Sequence, residues 1–163
     1  MNMKKLSMAL TTLFGIGLLI FNSCGTVPIT GRRQLNLVSD GEILAASATQ
    51  YRQFISKSQL SHNSTYNNKV TQVGRRLAAA TNIYLKQNGY ESMLSTLSWE
   101  FNVVDSKQVN AFCMPGGKIV VYTGLLNLVG NGAHSDDELA AVMGHELSHA
   151  LAKHANERIS NQM

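Results

Sequence analysis

Apolar positions recur every three or four residues in some stretches of the chain and every second residue in others, with polar punctuation between. Ser39-Asp40-Gly41-Glu42 has the form of a capping box, a serine with a glutamate three residues on. Ile43, Tyr51, Phe54 and Ile55 follow at helical spacing and predict a helix to about Lys57. Residues 58–65 are polar and read as a loop. Tyr66, Val70, Val73, Leu77 and Tyr84 predict a second helix from about Tyr66 to Asn88, with Gly89 as its stop. Trp99, Phe101 and Val103 alternate with Glu100 and Asn102, the period of a half-buried strand. Lys118-Ile119-Val120-Val121-Tyr122 is β-branched and aromatic and predicts a strand covered on both faces. Pro115-Gly116-Gly117 is the turn that starts it. Ser135-Asp136-Asp137-Glu138 repeats the capping-box form, and Leu139, Ala140, Met143, Leu147, Ala150 and Leu151 draw an apolar stripe along the helix that follows. Helices with a small sheet beside the last of them predict an α+β, mainly helical chain.

That last helix carries chemistry. His145-Glu146-Leu147-Ser148-His149 reads H-E-x-x-H. Helical positions four apart lie about 40° apart around the axis, so both imidazoles leave one side and can reach one ion. Glu146 lies about 100° round from His145, at the flank of that face, placed to hold a water on the metal. These residue types support a zinc-activated water used for hydrolysis. A catalytic zinc takes three protein ligands and keeps a fourth position open. No third ligand stands nearby. Glu138 is too far along the axis, at about 10 Å. On a continuous helix His154 points about 180° from His145, into the apolar stripe, and is expected to be a hydrogen-bonded, partly buried histidine. Asp105, Glu100, His62 and His134 are distant candidates that spacing does not separate.

The residues around the motif resemble a family. Asn110-Ala111-Phe112-Cys113-Met114-Pro115-Gly116-Gly117, a strand, Gly124-Leu125-Leu126, and then Glu138-Leu139-Ala140-Ala141-Val142-Met143-Gly144 before the histidines closely resemble the M48 peptidases. The match spans about residues 36 to 160. The resemblance implies a zincin-like fold, one Zn2+ bound by His145 and His149, and Glu146 as general base. It implies a third ligand, a glutamate on a later helix, that does not occur before Met163, so the chain resembles a C-terminally truncated member. In zinc peptidases a strand beside the metal helix pairs with extended substrate. Val120 in the predicted strand, Gly116 and Gly117 in its turn, and Asn110 are the expected substrate-side positions. Asn110 either holds the turn or orients substrate. Cys113 is expected to pack as a small apolar residue.

The chain begins with Lys4 and Lys5 and an apolar run from Leu6 to Phe21, shorter than the roughly 20 residues of a comfortable membrane span. This predicts an export signal over 1–23. Phe21-Asn22-Ser23-Cys24 resembles a lipobox, so Cys24 is the expected lipidation site and 24–38 a lipid-anchored tether. Residues 39–163 form the expected metallopeptidase domain. The resemblance is to the periplasmic, lipid-anchored branch of the family, and Gly25 favours the outer membrane over the inner. With Cys24 acylated, Cys113 has no disulfide partner. Of the net charge of +4, two units leave with Lys4 and Lys5, and the remainder is too scattered for nucleic acid. Two functions follow: a zinc endopeptidase acting on protein or peptide substrates in the bacterial envelope, or a non-catalytic envelope lipoprotein that keeps the fold.

Overall fold

The computed structural model describes residues 24–27, 29, 31, 33–35 and 37–162 of the 163. The expected export signal lies outside them. Two short strands, β1 (Cys24–Thr26) and β2 (Arg33–Leu35), pair antiparallel. Helices α1 (Asp40–Lys57), α2 (Ser64–Gln87) and the short α3 (Glu91–Leu94) follow. Strands β3 (Glu100–Val104), β4 (Ala111–Met114) and β5 (Lys118–Tyr122) form the second sheet. Helices α4 (Thr123–Val129), α5 (Ser135–Leu151) and α6 (His154–Gln162) close the described chain. This is the α+β arrangement expected from the pattern, with the sheet beside the histidine helix.

Local sequence accounts for several boundaries. The α1 capping box forms as expected: Glu42 N–H donates to Ser39 Oγ, and Glu42 Oε2 accepts from Ser39 N–H at 3.1 Å. At the end of α2, Tyr90 N–H donates to Leu85 O at 2.8 Å and Gly89 N–H to Lys86 O at 3.4 Å. That double bond pattern is a Schellman motif, and it needs the left-handed residue that Gly89 supplies at φ 77°. Within α2 the buried stripe runs Val70, Gly74, Ala78, Thr81, Leu85. Tyr84, expected in that stripe, is therefore exposed, and fully buried Leu85 takes its place.

The larger sheet has the order β3-β5-β4, with β5 parallel to β3 and antiparallel to β4. One face carries Ile119 and Val121 against α2, α4 and α5, through Val70, Val73, Leu126, Leu139 and Met143. The other carries Val120 against Tyr51, Phe54 and Ile55 of α1. The approach of α2 to β3 is close enough that a Cβ at Gly74 would lie 2.4 Å from the Phe101 ring. Gly124, at the start of α4, comes as close to backbone: a Cβ there would lie 2.4 Å from the carbonyl oxygens of Lys107 and Gln108.

Several elements differ from the sequence reading. Residues 111–114 form β4, where only a motif run was expected, and Met114↔Lys118 closes a hairpin through Pro115-Gly116-Gly117. Ser135 does not cap α5. Its hydroxyl accepts from Lys69 Nζ at 2.7 Å, and His134 holds the cap position without a side-chain bond. The expected extended tether contains the β1–β2 hairpin, where Val27 is buried and Leu37 N–H donates to Ser160 Oγ of α6 at 3.0 Å. Among the described residues no helix is long and apolar enough to cross a membrane.

Candidate metal centre

Helix α5 buries Leu139, Met143, Leu147 and Leu151 and leaves the opposite side open. His145 and His149 stand on that open side and are both exposed. Their rings converge: Nε2 of one lies 3.0 Å from Nε2 of the other, with the ring planes 84° apart. Two unbranched nitrogen donors so placed can both reach one ion at about 2.0–2.1 Å, and imidazole is a donor zinc favours. The pair therefore fits a zinc ion as two of its ligands. Among the described residues no group of three or more His, Cys, Asp or Glu is arranged to hold a metal. The distant candidates are engaged elsewhere or remote. Glu100 pairs with Lys118, Asp105 accepts from Thr123 Oγ1 at 3.1 Å, and His134 lies 4.0 Å from Asp137. None of these, nor His62, lines the cleft beside the histidines.

That cleft, of about 600 Å³, is walled by α1, β4, α5 and α6. Ile43, Ser47 and Gln50 face it from α1, and Phe112, Cys113 and Met114 from β4. Glu146 and His149 of α5, with His154, Arg158 and Ile159 of α6, complete it. Glu146 is half-buried in this wall. Its carboxylate also acts on Cys113, whose thiol is pushed up to about 12, first by burial and then by that negative charge. Cys113 packs against the core from β4 and is a free thiol, as its small apolar role required.

His154 is not where a continuous helix would put it. Helix α5 stops at Leu151, Lys153 turns left-handed at φ 55°, and α6 begins at His154. The turn brings His154 back, so that its Nδ1 lies 2.8 Å from His149 Nδ1. The expectation that it points into the apolar stripe fails because the helix on which it was counted ends first.

The expected substrate positions scatter. Val120 is fully buried in β5, whose two edges are taken by β3 and β4, so that strand cannot pair with a peptide. Gly117 is buried against the Trp99 ring. Gly116 lines a separate cavity of about 210 Å³ beside α3. Asn110 is exposed before β4, and its carbonyl accepts from Tyr122 N–H at 3.0 Å. The sheet edges are β3 and β4, and β4 is the one that lines the cleft. Its alternation is too short to signal a strand, but the turn residues at 115–117 mark a hairpin that requires one on each side.

Residues 64–163 match the model of Peptidase family M48. The chain is 49% identical to the Mitochondrial metalloendopeptidase OMA1 of Arabidopsis thaliana over 48% of its own length and 15% of that protein's. It is 30% identical to the Homo sapiens protein named Metalloendopeptidase OMA1, mitochondrial, over 96% of this chain and 29% of that one. It is 33% identical to the Beta-barrel assembly-enhancing protease of Yersinia pestis over 39% of this chain and 12% of that one. The chain thus spans well under half the length of these relatives.

Proposed function

The chain belongs to peptidase family M48, and from that premise we propose that it is the metal-binding part of a zinc-dependent endopeptidase acting on envelope proteins of a bacterium. The observation that carries this is the 3.0 Å convergence of the His145 and His149 Nε2 atoms beside a cleft walled by Glu146. A zinc ion held by the two imidazoles would supply Lewis-acid polarisation of a peptide carbonyl and make water more acidic. Glu146 acts as general base: it accepts a proton as the water oxygen bonds to the carbonyl carbon. It then passes the proton to the amide nitrogen as the C–N bond breaks, which leaves a carboxylic acid and an amine (a carboxylate and an ammonium once the acid's proton moves to the amine) and returns Glu146 to its starting state.

Substrate is held along β4 in this reading. Among the described strands none pairs with its outer edge. An extended peptide added there would bond to backbone, which is indifferent to side chains. The site then takes segments that are unfolded or extended, as a protease clearing misassembled proteins requires. A relative named for enhancing β-barrel assembly supports envelope substrates. The basic, apolar leader and Cys24 support export and lipid attachment on the periplasmic side, with Gly25 favouring the outer membrane.

The test is Glu146→Gln in the full protein, with unfolded casein as substrate. Zinc content should stay unchanged while cleavage falls by on the order of 10²–10⁴-fold. Equal cleavage by the variant would refute the role of Glu146. The second reading, a non-catalytic lipoprotein, draws on the two-donor set among the described residues. It is supported instead if the zinc-loaded wild type leaves casein intact.

A further inference from the structure

We propose that His154 is a positioning residue for the metal site: it holds Nδ1 of His149 and so aims the opposite ring nitrogen at the ion. The proposal rests on the metal-site reading above. Both nitrogens of His149 are engaged, on opposite sides of its ring. Nε2 faces His145 at 3.0 Å and Nδ1 faces His154 Nδ1 at 2.8 Å. The second contact has hydrogen-bond length, so one of the two Nδ1 atoms donates and the other accepts.

A ligand nitrogen must offer its lone pair, so a neutral His149 bound through Nε2 carries its proton on Nδ1. It then donates to His154, which accepts through Nδ1 and carries its own proton on Nε2. Metal-bound histidines usually give that second N–H to a carboxylate, carbonyl or water, which sets ring orientation and raises donor strength. Here an imidazole takes that place, reached by a break in the helix.

On an unbroken helix His154 would stand about 140° round from His149 and could not touch it. The turn at Ala152–Lys153 reverses this, and Lys153 adopts its left-handed backbone without being glycine. Side-chain contacts from α1 hold that turn. Asp40 forms an ion pair with Lys153 Nζ, and its other oxygen accepts from Asn156 Nδ2 at 2.9 Å. Asn156 is buried, while the Asp40 carboxylate itself is half exposed at the rim of the fold. One carboxylate at the start of α1 therefore ties down residues on both sides of His154. A glycine at 153 would turn as readily but would lose the ion pair.

The experiment measures zinc affinity of the purified chain by competition with a chromophoric chelator, alongside the thermal midpoint of the metal-free protein. His154→Ala and His154→Leu should weaken zinc binding by about 10- to 100-fold with the metal-free midpoint unchanged. His154→Asn places an amide oxygen near the position of Nδ1 and should restore most of the affinity, which a packing role would not achieve. Unchanged affinity in the Ala and Leu variants overturns the proposal and leaves the metal site standing. So does an Asn variant as weak as Leu. A wild-type chain that takes up no zinc overturns the metal site and this proposal together.

Discussion

Cys113 stands between Glu146 and the core, and its thiol shows how dry that part of the cleft wall is. Burial and the Glu146 carboxylate both disfavour the thiolate, which raises the group from an ordinary 9.0 to about 12. The sign follows: Cys113 favours the folded state fully below about pH 9, and that contribution is lost as pH rises from there to about 12. Thiolate is the reactive form. At pH 8 the Cys113 peptide should therefore be alkylated by iodoacetamide about 10³-fold more slowly in native than in denatured protein. Equal rates would show the thiol to be solvated. The shared placement of His145 and His149, with Glu146 at the flank of their face, was legible because a helix period alone decides which side chains share a face. His154 is hydrogen-bonded and partly buried as expected, but its direction was misjudged because it depends on a left-handed residue held by Asp40, a partner 113 residues away from Lys153.

Among the elements, α1, α2, β3 and β5 announced themselves through period and punctuation, with bounds within about two residues; α5 did so at its start, but it ends at Leu151 where the sequence reading carried it past His154. What escaped was decided by distant partners. Ser135 had the sequence of a helix cap, but Lys69 claims its hydroxyl. Strand β4 carries four residues, too few for an alternation to show, and exists because it pairs with β5. Gly124 was legible only as part of a family motif, and the structure gives its reason. Helix α4 starts against the backbone of the 105–110 loop, where Gly124 N–H donates to Ser106 O at 2.8 Å. Gly124→Ala would push a methyl to 2.4 Å from two backbone carbonyls, which have no rotamer to yield. The cost should be at least about 1–3 kcal/mol, read as a lower urea midpoint with unchanged slope. Wild-type stability in this variant would mean that the loop moves freely.

Across the whole molecule, the cleft is assembled from α1, β4, α5 and α6, and its placement follows from the three layers of the fold. The sheet has α1 on one face and α2, α4 and α5 on the other, so the β4 edge opens between them. The α+β class was legible from the mixture of periods. The cleft was not, since no local pattern encodes the docking of α6 onto the start of α1. The central claim is that His145 and His149 jointly bind one zinc ion. Metal content of the purified, zinc-dialysed chain, measured for wild type, His145→Ala and His149→Ala, tests it most directly. One zinc per wild-type chain is expected, lost in each variant with helical content unchanged. Zinc at the wild-type level in either variant, or none in the wild type, would contradict it.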